Sequence, residues 1–167
     1  MRPADLTFVA GELSTVLPTT ARRLRTDPGG VVHPDHLAIG GTLYVKQVLL
    51  DSTAAHGSVG FVYPFANADD DRAKRDPPST FAVTAGSTFQ ISERIYADAT
   101  AAFTRTNRDR VSGGIVPRTD QYRVEVRPTA GIQIDPRFDL AGSASIPVAG
   151  KNTPQSYGVN AQLRFRF

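Results

Sequence analysis

Arg123, Glu125 and Arg127 stand at alternate positions in the chain, and Arg164 and Arg166 repeat the spacing near its end. Residues two apart on an extended strand share a face, so each row presents its charges to one side. Tyr96, Asp98 and Asp139 add a phenol and two carboxylates from segments that read as neighbouring strands. Inside a β-barrel such a set does one of two things. In an eight-stranded barrel, just wide enough for side chains to fill, paired Arg and carboxylate groups make a plug. In a wider barrel the same groups line a charged constriction that selects solutes.

Other reactive-looking sets read as loops. His33-Pro34-Asp35-His36 packs several ligand types together, but Pro34 prevents a helical presentation, and metal sites recruit ligands from several places with a supporting shell. Asp69-Asp70-Asp71 lacks the spaced ligands and glycine of a calcium loop and reads as a solvated acidic tip. A hydrolase needs a nucleophile beside a base and an orienting acid. His33, His36 and His56 all fall in expected connections, and no Gly-x-Ser-x-Gly occurs. The expectation is therefore no enzyme, no metal and no cofactor.

The elements that must position the charged rows are strands. The chain has 167 residues, suited to a single domain over 1–167, and its hydrophobic fraction is 40%. It has no apolar run of about 18 residues, which excludes a helical membrane span but not alternating barrel strands. Cysteine is absent, so disulfides and Cys-ligated metals are excluded. The net charge of +3 is spread rather than striped, which argues against nucleic-acid binding. Met1 to Asp5 does not read as a secretory signal. The numbering is expected to start either at a mature chain or within a longer protein.

Period-two alternation marks eight segments. Asp5 to Leu17 has two registers: Leu6, Phe8 and Ala10 outward, or Val9, Leu13, Thr15 and Leu17 outward. The second keeps Glu12 inside and is preferred. His36 to Leu50, Ser58 to Ala66, Thr80 to Ile91, Ile95 to Thr106, Tyr122 to Ile134 and Phe138 to Val148 follow, with Tyr157 to Phe167 last. Ile95 to Thr106 is alanine-rich and could pass for a helix in isolation. Connections after the second, fourth and sixth strands are short, the first being 51–57. Those at 18–35, 67–79 and 107–120 are long and charged, and 149–156 precedes the last strand. This asymmetry is that of a bacterial barrel with periplasmic turns and outer loops. Pro18, Pro64 and Pro147 fall where strands one, three and seven are expected to run out, because proline cannot donate to a ladder.

The final strand sets the phase. Tyr157, Val159, Ala161, Leu163, Phe165 and Phe167 alternate without exception with Gly158, Asn160, Gln162, Arg164 and Arg166. With Tyr157, Gly158, Leu163 and Phe165 upstream of a terminal Phe167, the segment resembles the C-terminal signal of Gram-negative outer-membrane β-barrels. That resemblance implies recognition by the barrel assembly machinery. The fold expected is an all-β, antiparallel up-and-down transmembrane barrel with about eight strands visible, in contact with outer-membrane lipid and lipopolysaccharide. A soluble, lipocalin-like ligand-binding barrel would turn the apolar rows inward. The aromatic residues Tyr122, Phe138, Tyr157, Phe165 and Phe167, gathered toward strand ends, favour the membrane arrangement.

The segment from Arg127 to Val148, with Arg127-Pro128-Thr129-Ala130-Gly131, the turn Asp135-Pro136-Arg137 and the closing Ile146-Pro147 step, resembles the penultimate hairpin of outer-membrane transporters of the "MetA-pathway of phenol degradation" family. The resemblance implies a longer parent barrel with further N-terminal strands, and a channel for small aromatic or hydrophobic compounds. It brings no catalytic residues. The other expectation left open is a closed structural barrel whose long loops bind an outside partner.

Overall fold

The computed structural model describes residues 6–17, 37–65, 75–76, 78–108, 110–111, 114–117, 119–153 and 156–165. Eight strands dominate: β1 (Thr7–Val16), β2 (Ala38–Leu50), β3 (Thr53–Pro64), β4 (Thr80–Gln90), β5 (Ile95–Thr106), β6 (Gln121–Asp135), β7 (Phe138–Lys151) and β8 (Gly158–Phe165). They form one sheet in chain order, each antiparallel to the next. The chain is thus an all-β, up-and-down antiparallel sheet. β1 and β8 are its edges, with no ladder between them among the described residues.

Tertiary pairing settles the weakest local signals. Alanine-rich β5 is held in ladders on both sides, Ala85↔Ala101 to β4 and Ala101↔Val126 to β6, so its helix propensity is overridden. The preferred register of β1 is the one observed. Phe8 and Ala10 line an interior cavity, and Glu12 accepts a hydrogen bond from the Tyr44 hydroxyl at 2.9 Å.

Two expectations are corrected. The link at 51–57 is far shorter, because the chain turns at Asp51 and Ser52 and β3 already begins at Thr53. The alternation Ala54, His56, Ser58, Gly60 is the same inner row running backward, and it pairs with β2 as Lys46↔His56 and Tyr44↔Ser58. β7 does not run out at Pro147. The ladder to β6 keeps Pro147 opposite Glu125, shifts register at Val148 and resumes from Ala149 to Lys151, a bulge immediately after the residue lacking an N–H. At Pro64 the strand does end, as expected.

The short turns lie at one end of the sheet. At Pro136-Arg137 the Asp135 carboxylate accepts from the Arg137 amide at 2.7 Å, an Asx turn. At 91–94 the Ser92 hydroxyl accepts from the Ile95 amide at 3.2 Å. At the other end, the loops after β3 and β5 are not wholly irregular. Arg75–Asp76 pairs with Arg110–Val111, which pairs with Gly114–Ile115. The segments 67–79 and 107–120, expected as long charged loops, are therefore joined by a three-stranded ladder. The segment 18–35, including His33, together with His36 and Asp69 to Asp71, lies outside the described residues.

Burial runs opposite to that of a water-soluble domain. Glu125 and Asp139 are only 5% and 4% exposed, while Leu13 is 77% and Val159 87% exposed. Among the described residues the buried apolar side chains are small, the alanines Ala38, Ala54, Ala102 and Ala141 together with Pro64. Large apolar side chains normally leave water first, so a sheet that hides its carboxylates and exposes Val, Leu, Ile and Phe expects a solvent apolar outside and polar inside. Aromatic side chains, most of them exposed, mark both ends of the strands. Phe61, Tyr63 and Phe65 contact one another in series, and Phe103 meets Tyr122, toward the long loops. Phe138 meets Phe165 edge-on at 4.9 Å toward the short turns. Two aromatic girdles flanking an apolar band are the outer surface of a membrane barrel.

Candidate functional site: the polar inner face

Residues from distant strands line one cavity of about 630 Å³: Phe8 and Ala10 of β1, Tyr44 and Lys46 of β2, and Arg127, Thr129 and Ser143 of β6 and β7. Strands so far apart in the sheet order share a cavity only if the sheet curls around it. A second cavity of about 250 Å³ lies toward the long loops, lined by Thr104, Thr106, Gln121, Tyr122, Arg123, Glu125, Arg127 and Thr153. Arg127 lines both. Arg127 therefore stands at the boundary of the two chambers, and Arg123 and Glu125 line the smaller one.

The row is a cross-linked triad. Arg123 Nη2 lies 2.6 Å from Glu125 Oε2, and Arg127 pairs with Glu125 Oε1, its Nε donating at 2.5 Å. Ser145 Oγ, across on β7, donates to Glu125 Oε2 at 2.9 Å and accepts from Arg123 Nη2 at 3.3 Å. Strand alternation explains the set, because three side chains two residues apart on β6 can meet only if all point inward. Two guanidiniums share one carboxylate, so the triad carries an excess positive charge. Arg123 Nε is buried with no hydrogen-bond partner among the described residues.

A second cluster surrounds Asp98. Thr88 Oγ1 and Thr100 Oγ1 donate to it at 2.8 and 2.7 Å, and His56 Nε2 lies 2.6 Å from its Oδ2. His56 belongs to a strand, not to a connection, and sequence reasoning missed it. Carrying the phase of Val59, Phe61 and Tyr63 back past Gly57 would have found it. Gly86, opposite His56 on β4, makes the room. A Cβ there would stand 2.6 Å from the Ala99 carbonyl oxygen and 2.7 Å from His56 Cε1.

A third cluster lies nearer the short turns. The Tyr96 hydroxyl donates to Asp139 Oδ1 at 3.3 Å, and Arg164 Nη1 lies 3.8 Å from Asp139 Oδ2. Arg164 also donates to Gln162 Oε1 at 3.0 Å. Tyr96 lies flat over Gly131, where any Cβ would be 2.2 Å from the ring. An aromatic ring covering a glycine on the neighbouring strand keeps that stretch of sheet packed.

The structure thus gathers Arg123, Glu125 and Arg127 into one cluster and Tyr96, Asp139 and Arg164 into another, with Asp98 beside His56. Arg166 and Phe167 lie outside the described residues. Of the terminal row, Tyr157 precedes β8 and is exposed, Gly158 pairs with Ser145, and Leu163 and Phe165 face outward. Among the described residues no group of carboxylates and histidines has the arrangement of a metal site.

The fold and the inverted burial define a class: a curved antiparallel wall of the outer-membrane β-barrel type, apolar outside and polar within. Comparison with known proteins agrees at the level of fold. The chain is similar to the crystal structure of the COG4313 outer membrane channel from Pseudomonas putida F1, with a TM-score of 0.78 and 12% sequence identity over 95% of this chain. The match covers 59% of that channel's own length. No family model matches the chain, and no curated protein does.

Proposed function

We propose that the chain forms the wall of a passive channel in the outer membrane of a Gram-negative bacterium, and that small solutes pass along its polar inner face without chemical change. The observation that carries this reading is the position of the triad's Arg127 at the boundary of two cavities, in contact with both, with Arg123 and Glu125 lining the smaller. A plug would leave the interior filled. Here about 630 Å³ is open beside the triad, a volume in the range of small-molecule sites. The triad then acts as a charged constriction. The outward apolar band would contact lipid, the long loops would face lipopolysaccharide, and the row from Tyr157 through Leu163 and Phe165 would serve the assembly machinery. Similarity of fold to an outer membrane channel supports the same reading.

The full-length protein, extracted in detergent and reconstituted in planar bilayers, is expected to give discrete conductance steps. Arg127→Ala and Glu125→Ala are expected to change conductance and ion selectivity in opposite senses, since one removes a cation and the other an anion from the constriction. Unchanged conductance and selectivity in both variants would discard the constriction. Recovery of the protein as a monodisperse soluble species without detergent would discard the membrane reading altogether.

A further inference from the structure

The larger cavity has a charge imbalance that the triad does not account for. Its basic lining consists of Lys46, His56 and Arg127, and among the described residues no carboxylate lines it. The nearest carboxylates are already engaged. Glu125 is held by Arg123, Arg127 and Ser145, and Asp98 by Thr88, Thr100 and His56. Glu12 accepts from Tyr44. Lys46 makes no hydrogen bond or ion pair among the described residues, although it projects from the inner row of β2 between two paired strands. A free ammonium, a guanidinium with donors to spare and threonine hydroxyls around one space form an anion site by composition.

Phe8 adds a second peculiarity. Most residues lining the cavity are polar or small, yet this ring lies among them, 55% exposed. An aromatic ring exposed in a wet interior gains by contact with an apolar body, and it faces across the ladder to Lys46, its register partner. Ring and ammonium together match a ligand with one apolar end and one negative end.

We infer that this cavity is a binding subsite for small organic anions of the aromatic carboxylate type, with Lys46 and Arg127 holding the carboxylate and Phe8 the ring. The inference deepens the channel reading and rests on it for its role in passage, but binding can be measured apart from conduction. Benzoate is the probe, with acetate lacking the ring and benzylammonium reversing the charge.

In detergent, benzoate is expected to raise the thermal stability of the full-length protein, and benzylammonium is not. Lys46→Gln should weaken benzoate binding roughly tenfold, the loss expected for one charge-assisted hydrogen bond, and Lys46→Arg should retain most of it. Phe8→Ala should weaken benzoate more than acetate. In bilayers under a salt gradient, Lys46→Glu should shift the reversal potential toward cation preference. If benzoate neither stabilises the parent protein nor blocks its current, or if Lys46→Gln binds it as the parent does, the subsite is overturned while conduction still upholds the channel. If the parent binds benzoate through Lys46 but conducts nothing, the subsite stands and the channel reading falls.

Discussion

The two sides of the inner face are built on different plans. On the β5–β8 side every charged group described is fastened to another: Glu125 to two arginines and a serine, Asp98 to a histidine and two threonines, Asp139 to Tyr96 and Arg164. On the β1–β2 side the polar groups stand in the open. Tyr44 and Glu12 form an exposed bond, and Lys46 is free among the described residues. A buried charge must be compensated to be tolerated, whereas a solvated one need not be. The fastened side therefore holds the wall together, and the open side is left to meet what enters.

That contrast is sharpest at Glu125. Glu125→Ala would leave two guanidiniums facing each other with no shared acceptor, and losing the partner of a charge-assisted hydrogen bond costs about 1–3 kcal/mol. Unfolding followed in detergent should show a loss of that size. Tyr44→Phe, which deletes the exposed bond to Glu12 on the opposite side, should cost much less, because a solvated bond is exchanged for one to water. Equal losses from the two substitutions would erase the distinction between fastening wall and open wall.

Two glycines sharpen it further, by space rather than charge. Gly86→Ala would drive a methyl against the Ala99 carbonyl and the His56 ring. A backbone carbonyl does not move aside cheaply, so a loss of about 1–3 kcal/mol is expected, together with displacement of His56 visible as a change in its ring chemical shifts by NMR. Gly142→Ala, with nothing within 4 Å of the added carbon, should stay within about 0.5 kcal/mol of the parent. A costly Gly142→Ala would mean that close packing extends well beyond the clusters.

Most of the architecture could be read in the chain because alternation survives from one end of each strand to the other. Tyr157 to Phe165 and Tyr122 to Ile134 keep strict period-two rows, and the registers follow them. Where the pattern is interrupted, reading failed for identifiable reasons. His56 was lost because the inner row of β3 runs through Ala54 and Gly57 lies beside it, so the start of the strand resembles a turn. The extension of β7 past Pro147 was lost because a bulge at Val148, invisible in a sequence, lets the ladder resume beyond the proline. The ladder at Arg75, Arg110 and Gly114 depends on two distant loops meeting, and no local signal reports that. For the clusters, alternation told which side chains share a face but not which meet. Arg127 meets Glu125, two places along its own strand, while Asp98 is bonded to His56, two strands away.

The smallest effect is expected at the mouth, outside the membrane-spanning part, where the open plan reaches solvent. Asp120 receives a 2.9 Å hydrogen bond from Lys151 Nζ, and Arg108 Nε lies 3.5 Å from its other oxygen. The Lys151 hydrogen bond, helped by the charges of Lys151 and Arg108, holds its carboxyl below the usual carboxylate range. A depressed carboxyl stabilises the folded state above its unfolded value and loses that contribution as pH falls through the folded one. Asp120→Asn should therefore lie slightly below the parent in Tm near neutral pH, and the two should converge in strong acid. The gap should also shrink in high salt, because solvated charges are screened over about 10 Å at 0.1 M ionic strength and over less at higher salt. If the gap persisted in acid or grew with salt, the Asp120 contact would be acting through something other than charge. The mouth would then be fastened in the manner of the β5–β8 wall rather than left open like β1 and β2.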